Sequence, residues 1–423
     1  MRHVIIGNGA AGQAAAQAIR SRDPEAEVLI ISAEPEPAYF RPLITTLIDD
    51  VSPKDLFFPA GEAAPEAEVH LGTRVVDLDA AAKELILQNG RTFSYDRLLL
   101  ATGALPLVPE IPGWPGPGTF VLRTMADAQD LARAASAART AVVIGAGRVG
   151  LKAGLSLRQR GLAVTLVEQG PRVAPMQFDE VAGGILGQAL EAQGIGLCLG
   201  QTVAQVRRSG QHVQGVVLED GRLLEAEVIV AAMGVRPNVE LAHKAGLKIN
   251  RGIVVDRYLR TSAAEIYAAG DAAETTDLVT RGSLVSGLWT NAVEMGRFAG
   301  SNMAGAALEY PGAWAVFNSL EVVGIPTVAL GLTDAVPGKE YQVCQTRHGN
   351  TYRKLVCKDE VLVGALLIGD IDGAGIYAGV IKGKGKVGDI SEALQQPRRS
   401  LASRLSGQVL RGKKAEGMKT RAV

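Results

Sequence analysis

The stretch Val4-Ile5-Ile6-Gly7-Asn8-Gly9-Ala10-Ala11-Gly12 decides how the chain is read. A short apolar strand runs straight into Gly-x-Gly-x-x-Gly. An alanine-rich helical pattern follows through Ala14, Ala15, Ala16, Ala18 and Ile19. Gly7 permits the tight turn, Gly9 lets a pyrophosphate approach the backbone, and Gly12 lets the helix pack close to the strand. The helix start then offers free N–H groups and a positive dipole end to phosphates. A lone motif of this kind arises by accident in a chain with 50 glycines. Here a second strand, Val28-Leu29-Ile30-Ile31, follows and ends in Ser32-Ala33-Glu34, which completes the β-α-β context that the fingerprint requires.

The motif recurs. Ala141-Val142-Val143-Ile144-Gly145-Ala146-Gly147-Arg148-Val149-Gly150 repeats it, and the strand-like Ala163-Val164-Thr165-Leu166-Val167-Glu168 comes next. Two complete units predict two bound dinucleotides. Each second strand ends near a candidate ribose acceptor. In the first unit Glu34, 22 positions after Gly12, competes with Ser32. In the second unit the acceptor is Glu168. The first basic residue after it is Arg172, beyond Gln169-Gly170-Pro171. A carboxylate there repels a 2′-phosphate, so NAD is expected rather than NADP.

At 423 residues the chain is too long for one core. Its formal net charge is zero, so no global field favours nucleic acid or an anionic membrane. No apolar run reaches the about 18 residues that would cross a bilayer. The first strand starts at His3, so no secretory leader is expected and the expected location is cytoplasmic. Cys198, Cys344 and Cys357 are far apart. Without a Cys-x-x-Cys, no iron–sulfur cluster, redox dithiol or other metal site is expected in this chain.

Between the two fingerprints, Pro35 to Pro42 reads as extended loop before a helix-like stretch, with Arg41 beside Tyr39 and Phe40 as a candidate cation near a redox ring. Val69 to Asp79 and Lys83 to Leu87 suggest a meander. Tyr95-Asp96-Arg97-Leu98-Leu99-Leu100-Ala101-Thr102-Gly103-Ala104 reads as a buried strand ending in small residues, as a close-lying ligand needs. Leu105 to Gly118 reads as a linker. Beyond Glu168 come a helix over Glu180 to Gln193 and strands near Val203 to Arg208, Val213 to Leu218 and Glu227 to Ala232. The strand-like run ending in Ala268-Ala269-Gly270-Asp271 offers an Asp that can accept from a polyol hydroxyl or cap the next segment. Trp289-Thr290-Asn291 opens a helix whose N–H groups suit a developing anion. Residues 314 to 380 read as a small α+β domain with strands near Thr327 to Leu330, Tyr341 to Gln345, Tyr352 to Lys358 and Val361 to Ile368. The last residues are basic: Arg398, Arg399, Arg404, Arg411, Lys413, Lys414, Lys419 and Arg421 face only Glu416. They read as a solvated tail or as an arm for an acidic partner.

Together the first fingerprint, Ala101-Thr102-Gly103, the nested second fingerprint, Gly234-Val235-Arg236-Pro237 and Ala269-Gly270-Asp271 resemble the FAD-dependent pyridine nucleotide–disulfide oxidoreductase superfamily. The resemblance covers residues 3 to about 305. It implies an α/β fold: two nested Rossmann-like dinucleotide-binding domains, a small C-terminal α+β interface-like domain and a basic tail. The implied FAD domain is residues 1–112 with 245–312, the NAD domain 113–244, the interface-like domain 313–385 and the tail 386–423. FAD would meet Gly7, Gly9, Ala11, Gly12, Ser32, Glu34, Arg41, Pro42, Val75, Ala101, Thr102, Gly103, Gly270, Asp271 and Thr290. NAD would meet Gly145, Gly147, Val149, Gly150, Glu168 and Gly234. Asp271 matches the ribityl-binding aspartate. Arg41 and the helix start at Thr290 are the expected tuners of the flavin.

Two departures narrow the resemblance. Phe40-Arg41-Pro42-Leu43-Ile44-Thr45-Thr46 holds no cysteine where disulfide reductases carry a redox pair. The Tyr-x-Arg-Pro pattern instead resembles the rubredoxin, ferredoxin and nitrite reductase branch. Lys152 stands where many relatives have Glu. The whole, tail included, is similar to flavin subunits of multi-subunit 2-oxoacid dehydrogenases of the phenylglyoxylate type. The implied partners are iron–sulfur subunits or a small redox carrier, in a hetero-oligomer that reduces NAD+. A stand-alone NADH:rubredoxin or ferredoxin reductase, an NADH oxidase and a non-catalytic nucleotide-binding subunit are the alternatives.

Overall fold

The computed structural model describes residues 1–59, 67–334 and 341–387. Its α-helices are α1 (Ala10–Arg22), α2 (Met125–Ala135), α3 (Arg148–Gln159), α4 (Glu180–Ala192), α5 (Glu240–Lys244), α6 (Trp289–Met303) and α7 (Ala374–Lys382). Among the described residues no helix is long and apolar enough to cross a membrane. The chain forms two compact units. The first comprises Met1–Pro109, Phe120–Ala137 and Ala231–Ala313; the second comprises Glu110–Thr119, Ala138–Val230 and the described part of the chain from Trp314 onward.

The first unit is built on a parallel sheet in the order Ile266–Ala268, Arg97–Leu100, Arg2–Ile6, Glu27–Ile31, Glu68–His70. Val4, Ile5, Leu29, Ile30 and Leu98 to Leu100 are fully buried, as strands covered on both faces require. In register, Ile6 lies opposite both Ile31 and Leu100, and Leu100 lies opposite Ala268. Gly7, Ser32, Ala101 and Ala269 therefore leave the sheet together at its carboxyl edge, where ligands bind in open α/β sheets. Helices α1 and α6 approach closely. A Cβ on Gly296 would lie 2.2 Å from the Ala11 carbonyl oxygen, and one on Gly300 2.3 Å from that of Ala15.

Val69 to Asp79, read as one strand, is two. Glu68–His70 joins the parallel sheet, and Val75–Asp79 opens an antiparallel meander with Glu84–Leu87 and Thr92–Ser94. Gly72 breaks the run with φ of +59°, and its N–H donates to the Glu34 carbonyl. The expected linker also carries structure: Ala104–Pro106 pairs antiparallel with Val235–Pro237.

In the second unit Thr140–Ile144, Ala163–Glu168 and Ile195–Leu199 run parallel. Val203–Ser209, His212–Leu218 and Leu223–Glu225 form an antiparallel ribbon. A five-stranded antiparallel sheet follows in the order Phe317–Val322, Ile325–Gly331, Val361–Ile368, Thr351–Lys358, Gln342–His348. Phe317–Val322, α2 and α7 were not evident from sequence pattern. The basic tail lies outside the described residues, apart from residues 386 and 387.

Candidate cofactor sites

The three glycines of the first fingerprint do different work. Gly7 has φ of +118°, and a Cβ there would sit 2.1 Å from the Ala101 carbonyl oxygen. A Cβ on Gly12 would sit 2.0 Å from the Gly7 carbonyl oxygen. Both are closed by the protein's own backbone. Around the missing Cβ of Gly9 there is nothing within 4 Å. The space that Gly9 keeps open thus faces no protein atom. Ala11 is buried beside it, in the first turn of α1.

Helix α1 starts at Gly9 without a side-chain cap, and α3 starts at Gly147 in the same way. Helices α5, α6 and α7 also start without one, whereas α2 and α4 are capped. Thr124 and Asp127 form a capping box on α2, and Asp179 accepts from the Ala182 N–H on α4. A cap is worth about 1 kcal/mol. Its omission at both fingerprints leaves N–H groups that a pyrophosphate satisfies.

Around the first fingerprint, Ser32 is buried and its hydroxyl donates to the Glu34 carbonyl at 3.2 Å. The Glu34 carboxylate is already partnered on both oxygens. Tyr39 OH donates to Oε2 at 2.6 Å and Arg41 Nη2 to Oε1 at 2.5 Å. Burial pushes the Tyr39 pKa upward, so the phenol remains a donor. Arg41, the candidate cation for a redox ring, carries a partner in the structure. It is the ion-pair partner of Glu34, and it also donates to the Arg123 carbonyl at 2.7 Å. Arg123 in turn donates through Nη2 to Asp271 Oδ2 at 3.0 Å and through Nε to the Ala104 carbonyl. A polar chain Glu34–Arg41–Arg123–Asp271 so links the two carboxylates expected to accept from a dinucleotide. Arg123 escaped the sequence reading; its signal was a cation directly before a capping-box threonine.

Thr102 donates to the Asn238 carbonyl at 2.7 Å, and the Asn238 N–H returns to the Gly103 carbonyl. Gly103 and Gly270 take φ of +69° and +74°. Pro42 lies in the first turn of the 3₁₀ helix Arg41–Asp49, and Val75 is buried at the head of the meander. Thr290 is exposed in the uncapped first turn of α6. Residues next to Arg41 and Thr290 bring together three half-buried rings, Phe40, Phe58 and Trp289, with centroids 4.7 to 5.9 Å apart. This platform was also missed.

At the second fingerprint Gly145 has φ of +101°, and the missing Cβ of Gly147 faces nothing within 4 Å. Val149 is 45% exposed over the helix start, while Gly150 is buried. Glu168 is buried, accepting from the Ala146 N–H on Oε2 and the Gly170 N–H on Oε1, both at 2.8 Å. Each oxygen keeps a second lone pair for a hydroxyl. Gly234 has φ of +102°, and its carbonyl accepts from the Leu107 N–H. Lys152 is exposed on α3. The open cradles at Gly9 and Gly147, the uncapped helices behind them and the carboxylates at the strand ends fit one dinucleotide per unit.

Residues 1–296 match the pyridine nucleotide-disulphide oxidoreductase model, and residues 317–384 match the rubredoxin NAD+ reductase C-terminal domain. The assimilatory nitrate reductase electron transfer subunit of Bacillus subtilis (strain 168) is 30% identical over 378 residues, 87% of this chain and 48% of that one. The chain thus spans about half the length of that relative. The NADH-dependent phenylglyoxylate dehydrogenase subunit epsilon of Aromatoleum evansii is 28% identical over 390 residues, covering 90% of this chain and 91% of that one. Among solved structures, the ferredoxin reductase for the CYP199A2 system from Rhodopseudomonas palustris superposes with a TM-score of 0.87 at 26% identity, covering 96% of this chain and 99% of that one. The chain belongs to the pyridine nucleotide-disulphide oxidoreductase family, whose members are FAD-dependent NAD(H) oxidoreductases.

Proposed function

We propose that the chain is an NAD(H):acceptor oxidoreductase that serves as the flavin subunit of a multi-subunit 2-oxoacid dehydrogenase of the phenylglyoxylate type, exchanging electrons with iron–sulfur subunits and reducing NAD+. The observation that carries the reading is the pair of open, uncapped fingerprints in a chain whose 3₁₀ helix Arg41–Asp49 holds no cysteine. The near-complete mutual coverage with the phenylglyoxylate dehydrogenase subunit supports the subunit role.

When bound, FAD supplies hydride exchange with nicotinamide and one-electron exchange with a metal centre. The protein's part is position and electrostatics. The first turn of α1 holds the FAD pyrophosphate, Asp271 accepts from the ribityl chain, and Arg123 fixes that carboxylate. Glu34 and Ser32 receive the adenosine ribose. The free N–H groups at the start of α6, near Thr290, would stabilise negative charge on the reduced ring. In the second unit α3 holds the NAD pyrophosphate and Glu168 the ribose. Cys357 is buried, and burial pushes its thiol up to about 12, so it offers no thiolate at neutral pH.

The test is electron transfer by the purified full chain with two acceptors. Reduced ferredoxin-type iron–sulfur protein should drive NAD+ reduction, while NADH alone should consume oxygen slowly. Rapid oxygen consumption without a partner would replace this reading with that of an NADH oxidase.

A further inference from the structure

The C-terminal sheet reaches the nucleotide loops of its own unit at two points. At the first, Arg148, the residue after Gly147 in the second fingerprint, donates to Asn318 Oδ1 on the strand Phe317–Val322. At the second, Asp179 is shared. Its Oδ1 caps α4 through the Ala182 N–H at 3.0 Å. Its Oδ2 accepts from Tyr352 OH at 2.7 Å and from Lys354 Nζ at 3.2 Å, both on the strand Thr351–Lys358. The Tyr352 hydroxyl oxygen also lies 2.9 Å from the Gln345 side-chain amide, and Lys354 donates to Asp334 Oδ1 at 3.0 Å. Tyr352, Lys354 and Asp179 are all buried.

A lysine is rarely buried unless it is paired. This one is committed to the end of a particular loop. Residues 169–178 form the loop between Glu168 and Asp179. The loop folds back onto the fingerprint, where the Ala174 N–H donates to the Ala146 carbonyl at 2.9 Å. Ala174 is fully buried and holds φ of +43°. A residue with a Cβ keeps a left-handed backbone only where its surroundings over-determine it. Arg172, in the same loop, donates to the Phe178 carbonyl and lies against Gly183 in the first turn of α4. The near end of the loop is fixed by the bonds of Glu168 to Ala146 and Gly170. Its far end is fixed by side chains of the C-terminal sheet.

We infer that the C-terminal sheet is the clamp that positions the NAD(H) loops: Asn318 holds the fingerprint through Arg148, and Tyr352 and Lys354 hold the ribose loop through Asp179. These are positioning residues, because they act through Arg148 and Asp179 and are not placed on the nucleotide. The inference rests on the reading that the second fingerprint binds NAD(H).

The test uses the full FAD-loaded chain with ferricyanide as acceptor. In Lys354→Met the KM for NADH should rise by about tenfold while kcat and bound FAD stay level, the pattern of a lost positioning contact. Lys354→Arg should restore the KM, and Tyr352→Phe should give a smaller rise. Amide exchange in residues 169–178 should quicken in Lys354→Met, with residues 1–31 unchanged. An unchanged KM and unchanged exchange, or a loss of kcat and FAD in step with the KM, would overturn the clamp. Gly147→Glu separates the two readings, since its side chain enters open space. If Gly147→Glu raises the KM and the lysine variant does not, the clamp fails. If Gly147→Glu leaves the KM unmoved, the nucleotide assignment beneath it fails.

Discussion

The two Gly-x-Gly-x-x-Gly units share a strand, a left-handed first glycine and an uncapped helix, yet they secure their acidic residues differently. Glu34 is held by side chains, Tyr39 and Arg41, and stands at one end of a chain that reaches Asp271. The later links of that chain join residues 82 and 148 positions apart. Glu168 is held by backbone N–H groups of its own β-α-β unit, Ala146 and Gly170. The first site is assembled from distant segments, as suits a cofactor that stays. The second is largely local at the ribose end, as suits a nucleotide that comes and goes.

The sharpest way to break this contrast is at the glycines. Gly7→Ala meets a left-handed φ and a carbonyl oxygen at 2.1 Å, and should cost more than about 4 kcal/mol and leave the protein without FAD. Gly9→Ala meets no protein atom within 4 Å. It should melt like the parent when apo and retain FAD less well. Melting curves with and without FAD separate the two.

The next contrast is a single strand position. His3 precedes the first fingerprint where Ala141 precedes the second. His3 is fully buried, and burial, followed by Arg97 and the terminal amine, lowers its pKa to about 4. Neither ring nitrogen has a hydrogen-bond partner among the described residues. The unfolded chain therefore takes up the proton more readily than the folded one. Stability from this group is complete above pH 6.5 and falls as pH drops toward 4, by about 3 kcal/mol. FAD release and melting followed from pH 7 to pH 4 should show that loss, and His3→Val should flatten it. A His3→Val profile as steep as the parent's would contradict the account.

Smaller effects distinguish the two carboxylate arrangements. Arg123→Leu leaves Asp271 without its cation and should weaken FAD retention by about 2 kcal/mol, while NADH affinity is untouched. Titration of the apo protein with FAD measures it. Glu168→Gln keeps an acceptor but loses the charge, and should raise the KM for NADH about fivefold, near 1 kcal/mol, with FAD content unchanged.

Glycine roles were legible in the sequence because they are local: a turn, a close approach and a helix start all fall within nine residues of Val4. The doubly wound fold was legible for the same reason, once the fingerprint was seen twice. What could not be read depends on distant partners. Nothing near Gly296 or Gly300 says that Ala11 and Ala15 press against them. Nothing near Arg123 names Asp271, and nothing near Arg41 says that Glu34 claims its charge. Gly234 follows the last strand of the second fingerprint in sequence but pairs its turn with Leu107 in the first unit.

The most direct measurement is the visible spectrum of the purified chain before and after anaerobic addition of NADH. Two intact and coupled dinucleotide sites predict a flavin spectrum that NADH bleaches. A flavin band that NADH leaves unmoved, or the absence of any flavin band, would contradict the account.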